Sequence, residues 1–416
     1  MSCKIPSDKV NELIKEYGSP LYVFHSAEFI KNYTELLNTF RSIYPKYNIA
    51  YSYKTNYTPA VCKIVKELGG LAEVVSDMEY RLARKIGYES EDIIYNGPVK
   101  GAGMYEHLLS GGVVNVDSID ELISIIEFAK YNSEKVFKLA FRVNINIDQG
   151  FVSRFGLDAY EEEKSDSELA QAMRMVREQE NLTIVGLHCH VGRSRSLVAW
   201  ENRVRIMLKL VDRYFESPPK FIDLGSGMNS VMEDELAAQF GGDIPTFADY
   251  AKVVASAMKV KYGNLSENEQ PMLYTEPGTT VISGYVSFLG RVLSIKNVKE
   301  KQYVTFDCSG GNIGDICHLK QLPITVYHEG AKTVSCNNAD FVGYTCLEHD
   351  VMYKDFCGEL AVGDIVQFRN VGSYSNVFKP PFILPNCAMV RLDENGRSKI
   401  IKVAEDFDYI FQNYIF

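Results

Sequence analysis

Eight apolar runs of strand length recur between about residues 46 and 280 of this 416-residue chain, and this repetition constrains the fold more than any other feature. Each run is almost continuously apolar, as expected for strands that are covered on both faces, and each precedes a stretch with helical periodicity, such as 77–85 or 119–130. The runs are 48–55, 71–76, 93–97, 113–118, 139–146, 184–192, 221–227 and 272–278. Eight strand–helix units predict a (β/α)8 TIM-type barrel.

The pattern changes after residue 280, where short alternating runs at 303–307, 324–327 and 365–369 predict antiparallel strands. A further strand at 20–24 can pair with them before the chain enters the barrel. The expected fold class is therefore α/β. We expect the barrel over residues 26–280 and a mostly antiparallel β domain, a sandwich or barrel formed by both termini, over 1–25 and 281–416.

Composition and charge restrict the classes of function. A formal net charge of -10 argues against a nucleic-acid or anionic-membrane surface, both of which require clustered positive charge. No apolar run reaches the length of a signal peptide or a membrane span. Nine scattered cysteines without a Cys-x-x-Cys pair argue against a disulfide framework. We expect a cytoplasmic protein that acts on a small molecule, with no nucleic-acid or membrane partner.

A lysine stands at the end of the first predicted barrel strand, in the segment Tyr51-Ser-Tyr-Lys54-Thr-Asn56. Thr58 and Pro59, which follow, are typical of a helix N-cap and first helical position. Strand ends carry the chemistry in barrels, and a lysine there can form a Schiff base. A single lysine is more often an exposed surface residue, so this interpretation depends on its neighbours.

Polar residues at the other predicted strand ends should converge with this lysine on one pocket. Strand two leads to Glu79 and strand five holds Arg142. Strand six carries His188 and His190, whose spacing of two residues places both side chains on one face of the strand. An isolated histidine is more often a core residue, and the same spacing also permits a pair of metal ligands.

The last two predicted strands carry the signs of a phosphate site. Strand seven ends in the glycine-rich turn 225–227, and strand eight ends in the segment 275–279, the two loops with which barrels often bind phosphate. A lysine, a phosphate-binding turn and a carboxylate together suggest pyridoxal 5'-phosphate. That cofactor withdraws electrons only while its ring nitrogen stays protonated, and Glu276 can supply the counter-charge. His190 can lie flat against the ring.

From Pro20 to about Phe382 the chain resembles the fold-type III pyridoxal-phosphate decarboxylases. It is most similar to the diaminopimelate decarboxylase branch, with ornithine and carboxynorspermidine decarboxylases as more distant relatives. The similar blocks, whose order and spacing make coincidence improbable, are 51–56, 74–79, 153–156, 186–192, 223–227, 276–278, 346–350 and 372–374.

The resemblance implies a role for each matching residue. Lys54 would form the internal aldimine, His190 would stack on the ring, and Glu276 would pair with the pyridinium nitrogen. In that family Cys346 comes from the partner subunit and returns a proton after CO2 has left, which implies a homodimer with shared active sites. The expected cofactor-binding set is Lys54, Glu79, Arg142, His190, Arg193, Gly225, Ser226, Gly227, Glu276, Gly278, Thr279 and Tyr374.

Two departures from the family pattern concern positive charge and substrate recognition. Thr279 stands where diaminopimelate decarboxylases have an arginine, while Arg193 replaces a serine near the phosphate, so we expect Arg193 to take over that charge. Leu347 stands where an acidic residue faces the substrate's distal amino group. The expected substrate-binding residues are instead Glu348, Asp350 and Lys320, the last as a loose counterpart of the family's arginine.

The leading interpretation is pyridoxal-phosphate-dependent α-decarboxylation of a diaminopimelate-like, basic or carrier-linked amino acid, with no metal. The catalytic residues would be Lys54, His190 and Cys346. A carboxynorspermidine, ornithine or lysine type of decarboxylase remains open as the specific activity. Amino-acid racemisation and a non-catalytic cofactor-binding homologue are further alternatives. A metal-dependent hydrolase would use His188 and His190 with carboxylates such as Glu276.

Overall fold

The computed structural model describes residues 3–147, 152–160, 166–330 and 332–416. The chain forms two compact units. One, the β unit, comprises Met1–Asn32, Ser230–Asp243 and Val281–Phe416; the other, the barrel unit, comprises Tyr33–Asn229 and Ile244–Thr280. Residues 26–32 and 230–243 therefore belong to the β unit, whereas the sequence division counted them with the barrel.

The strands follow one another along the whole chain. In order they are β1 (Leu21–His25), β2 (Tyr47–Ser52), β3 (Leu71–Val74), β4 (Ile93–Tyr95), β5 (Val113–Val116), β6 (Phe137–Asn144), β7 (Leu157–Asp158), β8 (Leu182–His188), β9 (Phe221–Asp223), β10 (Met272–Thr275), β11 (Val286–Val298), β12 (Lys301–Phe306), β13 (Ile324–Tyr327), β14 (Val334–Val342), β15 (Val351–Leu360), β16 (Ile365–Phe368), β17 (Ala388–Leu392) and β18 (Ser398–Lys402).

The helices alternate with the barrel strands and become rare after them. In order they are α1 (Ser7–Tyr17), α2 (Ser26–Arg41), α3 (Pro59–Glu67), α4 (Asp77–Ile86), α5 (Gly103–Leu109), α6 (Ile119–Lys130), α7 (Glu168–Arg177), α8 (Leu197–Tyr214), α9 (Asp234–Ala237), α10 (Phe247–Tyr262), α11 (Thr279–Ile282), α12 (Gly310–Ile313) and α13 (Phe407–Phe411). In the described part of the chain, none of them has both the length and the apolar character that crossing a bilayer requires.

Eight parallel strands close into a barrel, which confirms the predicted fold. The order β5-β4-β3-β2-β10-β9-β8-β6 returns on itself because β5 also pairs with β6. Each predicted run overlaps one of these strands, whose carboxyl end lies two to four residues before that of the run; β2, β6 and β8 also begin one or two residues before it. The shortening follows from function, since polar residues at that end leave the sheet and enter loops.

Serine caps begin several barrel helices directly after the strands and so keep the connecting turns short. The Ser76 hydroxyl accepts a hydrogen bond from the Glu79 amide at 3.3 Å, and Ser118 does the same for Glu121 at 3.2 Å. Such a cap satisfies one of the amides that the first helical turn leaves unpaired. The apolar faces of the strands pack against the helices, and most strand residues are buried.

The β unit contains a separate mixed sheet in which most pairings are antiparallel. The central strand β1 pairs antiparallel with β11 and parallel with β17, so the N-terminal strand lies inside the C-terminal sheet, as the sequence predicted. A second parallel pairing joins β12 to β14. Apolar residues of α1, including Val10 and Leu13, pack on this sheet.

Candidate active site

Lys54 lies in a 3-10 turn that follows β2 directly, at the carboxyl end of the barrel. Its amine donates hydrogen bonds to Glu73 Oε2 at 2.6 Å and to Ser52 Oγ at 2.8 Å. The side chain is 31% exposed, whereas that of Glu73 is fully buried. The lysine is therefore held by a buried carboxylate yet remains accessible, which is what a reactive amine requires.

Glu73 and Asn96 form a bridge across the barrel that the sequence reasoning missed. Glu73 Oε1 accepts a hydrogen bond from Asn96 Nδ2 at 3.0 Å, and the same amide group donates to Glu276 Oε1. Asn115 in turn donates to Asn96 Oδ1 at 2.6 Å. A signal was present in the sequence, because a glutamate in the middle of the apolar strand 71–74 is seldom buried without a partner.

Glu276 is the fully buried end of this network. His188 Nε2 and His190 Nδ1 lie 3.1 and 3.2 Å from its Oε2 atom. Burial alone would raise the pKa of Glu276, but the charge and hydrogen bond of His188, together with the hydrogen bond of His190, outweigh it and hold the pKa well below its usual range. Glu276 is therefore a fixed negative charge at neutral pH.

The pKa of Asp223, at the end of β9, is shifted in the opposite direction from that of Glu276. Burial, together with the nearby charge of Glu276, raises the pKa of Asp223 well above its usual range and so favours the protonated form of this carboxyl group. Its Oδ1 atom accepts a hydrogen bond from the Gly225 amide at 2.8 Å. The two neighbouring carboxyl groups thus titrate as a coupled pair, in which Glu276 favours the ionised form and Asp223 the protonated form.

The glycine-rich turn after β9 requires glycine at two positions. Gly225 and Gly227 have φ values of +62° and +107°, and an added Cβ atom would lie 2.6 Å from Cys189 O in the first case and 2.5 Å from Val191 O in the second. Between them, the Ser226 amide donates to His190 Nδ1 at 3.3 Å. The turn therefore packs closely against the segment after β8, and only glycine fits at these two positions.

The structure brings the other barrel candidates to the same end of the barrel. Burial and the charge of Glu73 raise the pKa of Glu79 to about 7. Arg142 faces Asp117 at 3.4 Å and lies over the Phe155 ring. Three further candidates follow strand ends: Arg193 is exposed, Gly278 approaches Thr55 too closely to admit a side chain, and Thr279 begins α11.

The remaining candidates belong to the β unit. Cys346 is an exposed free thiol, and with Leu347 and Glu348 it lines a cleft of about 680 Å³. Asp350 uses both carboxylate oxygens for structural contacts, because Oδ1 accepts from the Gly310 amide at the start of α12 at 2.7 Å and Oδ2 accepts from the Thr345 hydroxyl of its own loop at 2.5 Å.

Lys320 and Tyr374, the last two candidates, also belong to the β unit. Lys320 donates to the carbonyl oxygen of Gln239 and lies 5.0 Å from the centre of the Phe240 ring. Tyr374 adopts a positive φ of 52°, which is unusual for a residue with a side chain. Its ring is 41% exposed and lines a cavity with His318.

Comparison with known proteins identifies the family. Residues 30–283 match the model of the pyridoxal-binding domain of the pyridoxal-dependent decarboxylases, which is more than half of the chain. The chain belongs to this family. It is therefore a lyase that uses pyridoxal 5'-phosphate to decarboxylate an amino acid, as the sequence predicted.

Relatives match this decarboxylase over nearly its whole length. It is 28% identical to the diaminopimelate decarboxylase of Aquifex aeolicus, over 97% of this chain and 93% of the relative. It is also 28% identical to that of Methanocaldococcus jannaschii, over 87% of this chain and 83% of the relative. The crystal structure of diaminopimelate decarboxylase from M. jannaschii with L-lysine superposes with a TM-score of 0.84 at 25% identity, covering 98% and 94% of the two chains.

The residues of the barrel unit fit the cofactor. Pyridoxal phosphate needs an amine for its aldehyde, a carboxylate for its ring nitrogen and backbone amides for its phosphate. Lys54 offers an accessible amine, Glu276 an ionised and buried carboxylate, and residues 225–227 a turn without obstructing side chains. The barrel unit thus offers one group for each of these three needs.

Proposed function

We propose that this decarboxylase acts on a diaminopimelate-like, basic or carrier-linked amino acid and removes its α-carboxyl group as CO2. The observation that carries the proposal is the hydrogen-bonded network from Lys54 through Glu73 and Asn96 to Glu276, at the barrel end where the glycine turn lies. The names of the relatives from A. aeolicus and M. jannaschii support the substrate class.

The proposed roles follow from protonation and position. When bound, pyridoxal phosphate supplies an electron sink for the electron pair left on the α-carbon. Lys54 Nζ would hold the cofactor through its aldehyde, and Glu73 orients the amine of Lys54. Glu276, ionised at neutral pH, keeps a proton on the ring nitrogen. His190 lies against the ring, and burial lowers the pKa of His190 to about 4, so it remains neutral.

The proposed phosphate site of the barrel unit consists of residues 225–227, and Arg193 supplies positive charge in place of Thr279. Tyr374 remains a phosphate ligand predicted from the family resemblance. Arg193 is exposed, so its guanidinium can swing onto an incoming phosphate and bind it with two parallel hydrogen bonds. Glu79, which accepts a hydrogen bond from the Val75 amide, and Arg142, which pairs with Asp117, would line the same site.

Cys346 is the proposed acid that returns a proton to the α-carbon after CO2 has left. Its exposed thiol suits this role, because a proton donor must reach the substrate from outside the barrel. We propose that it enters the site of a second subunit, which makes the protein a homodimer with shared active sites. Nine free thiols support a reducing, cytoplasmic location.

Substrate recognition is proposed to rely on Glu348. Leu347 cannot bind a distal ammonium group, and both oxygens of Asp350 already accept hydrogen bonds from Gly310 and Thr345. Glu348 is exposed beside Cys346 in the same cleft. The L-lysine bound to the M. jannaschii relative supports a substrate with such a distal group. Lys320 remains a candidate for a distal carboxylate. Glu348→Gln should raise KM for the preferred substrate with little change in kcat, and an unchanged KM would refute this assignment.

A metal-dependent activity is the second candidate, because ligand atoms of His188, His190 and Glu276 lie within 4.8 Å of one another. Cofactor absorbance and metal dependence distinguish a pyridoxal-phosphate site from a metal site. Visible cofactor absorbance of the purified protein should vanish in Lys54→Ala and persist in Lys63→Ala, an exposed lysine on α3. A protein whose activity needs added zinc and shows no such absorbance would favour the metal.

The substrate and the shared site are tested by CO2 release. The screen covers diaminopimelate, lysine, ornithine, arginine, glutamate and carboxynorspermidine. If the enzyme with bound cofactor releases CO2 from none of them, decarboxylation of a free amino acid is contradicted. Mixing inactive Lys54→Ala and Cys346→Ala subunits should restore roughly a quarter of the activity if sites are shared, since half of the dimers are mixed and each has one intact site. No recovery after verified subunit exchange would refute shared sites.

A further inference from the structure

Arg203 is a fully buried arginine on α8 that the proposed function does not use. Its guanidinium lies 4.2 Å from the Trp200 ring and donates hydrogen bonds to three backbone carbonyls. Nη1 donates to Leu224 O at 2.8 Å and to Ser226 O at 2.6 Å, and Nη2 donates to Val191 O at 2.9 Å. One side chain thus joins the turn after β8 to the glycine turn after β9.

The charge of Arg203 is not neutralised by a direct ion pair: burial lowers its pKa, and Glu276 offsets this only through its electrostatic interaction. Within the described ranges no carboxylate forms an ion pair with it, and its buried Nε atom has no hydrogen-bond partner. Removing a cation from water without a counter-ion is costly, and carbonyl dipoles offset only part of that cost. A site nearby that binds an anion would supply the missing opposite charge.

Peptide geometry shows on which side that anion would bind. In a trans peptide the carbonyl and the following amide point in opposite directions. Because the carbonyls of Val191 and Ser226 point at Arg203, the amides of Gly192 and Gly227 point away from it. A hydrogen bond from a cation to a carbonyl also polarises the peptide group, which makes its amide a stronger donor.

We propose that Arg203 is a positioning residue for the phosphate of the cofactor. It orients the amides of Gly192 and Gly227 toward the phosphate and supplies, from behind the turn, positive charge that Thr279 does not carry. The proposal rests on cofactor binding at residues 225–227. Arg193 would then meet the phosphate from the solvent side, whereas Arg203 acts on it through the backbone.

The test compares pyridoxal phosphate with pyridoxal, which has the same aldehyde and ring but no phosphate. Apoenzyme is titrated with each by absorbance, for the wild type, Arg203→Met, Arg203→Lys and the control Arg205→Met, an exposed arginine on the same helix. Arg203→Met should lose about 30-fold in affinity for pyridoxal phosphate but less than about threefold for pyridoxal, as expected for loss of one charge-assisted interaction. Arg203→Lys should fall between, and Arg205→Met should match the wild type.

Equal losses for both ligands would overturn the proposal, because they would show that Arg203 only maintains the fold. An unchanged affinity for pyridoxal phosphate would overturn it as well. If Arg203→Met does not fold, ³¹P NMR of the unmodified holoenzyme decides. The phosphate should remain a dianion below its ordinary second pKa of about 6, and titration at that ordinary value would refute the idea. The titrations measure cofactor binding and not turnover. Their result therefore does not depend on whether the enzyme decarboxylates any of the amino acids in the CO2-release screen.

Discussion

Replacing Glu276 by glutamine tests the central electrostatic feature of the site. The glutamine would retain the volume and the acceptor oxygen of the fully buried side chain but remove its charge. The neighbouring imidazoles of His188 and His190, 3.1 and 3.2 Å from Oε2, would still have a polar partner. The change therefore isolates the negative charge that we propose faces the ring nitrogen.

The expected loss can be worked out from the Coulomb energy. Two unit charges about 4 Å apart interact by about 4 kcal/mol at an effective dielectric constant of about 20, which corresponds to a factor of about 1,000 in kcat. Asp223 should reduce this loss. Its carboxyl group favours the protonated form partly because Glu276 is ionised, so Glu276→Gln lowers the pKa of Asp223 and allows it to take up part of the charge.

The assay is kcat for CO2 release at saturating cofactor, with occupancy checked by absorbance. Glu276→Gln should lose about 50-fold and the double variant with Asp223→Asn about 1,000-fold, following the energy above. Asp223→Asn alone is the control, expected within about threefold, because the asparagine keeps the acceptor for the Gly225 amide. A Glu276→Gln enzyme with wild-type kcat would show that the charge of Glu276 does not contribute to turnover. A double variant no slower than Glu276→Gln would show that Asp223 does not take up negative charge when Glu276 is replaced.

Three further changes test other contacts. Glu73→Gln weakens a 2.6 Å ion pair with the amine of Lys54 and should lower kcat/KM about 30-fold, as expected for a partly buried charged hydrogen bond. Arg193→Ala should lower cofactor affinity about tenfold if this exposed guanidinium binds the phosphate, with Arg193→Lys intermediate. Burial lowers the pKa of His25 and of His107 from 6.5 to about 4, so both are neutral in the folded protein and protonated in the acid-unfolded chain. Stability should therefore be complete above pH 6.5 and fall as the pH drops toward 4, by up to about 3 kcal/mol per histidine, measured as the urea midpoint at each pH.

Each of these has a clear contrary result. Wild-type kcat/KM in Glu73→Gln would mean that the pair with Lys54 has no part in turnover. Unchanged cofactor affinity in Arg193→Ala would remove this residue from the phosphate site. A free energy of unfolding that stays constant from pH 7 to pH 4 would show that the two histidines take up no protons on unfolding.

Local sequence patterns were sufficient for the architecture, because buried parallel strands and capped helices leave a direct signature. The strand before Lys54, the helix that begins at Pro59 and the helix 119–130 appear where periodicity and turn residues predicted them. The N-terminal strand was also assigned correctly to the C-terminal sheet, since a single apolar strand before a barrel needs a partner elsewhere. Site motifs lay at strand ends for the same reason.

Local sequence patterns could not predict contacts between residues that are far apart along the chain. Nothing near Arg203 in the sequence indicates that it reaches carbonyls of two separate turns, and Asn96 joins two carboxylates that are 203 residues apart along the chain, Glu73 and Glu276. Likewise, the sequence did not indicate that Asp350 accepts hydrogen bonds from Thr345 in its own loop and from Gly310, 40 residues away. These assignments depend on packing, which brings together groups that no local rule relates.

The order of residues alone specified a barrel with a lysine, a carboxylate and a glycine turn at one end, because strand periodicity places all three at carboxyl termini. The tertiary structure determined which carboxyl groups of the site favour the ionised form. Glu276 favours the ionised form and its neighbour Asp223 the protonated form because two histidines face one carboxyl group and burial isolates the other. Protonation of a buried acid depends on the groups around it in space, and those come from strands far apart in the chain.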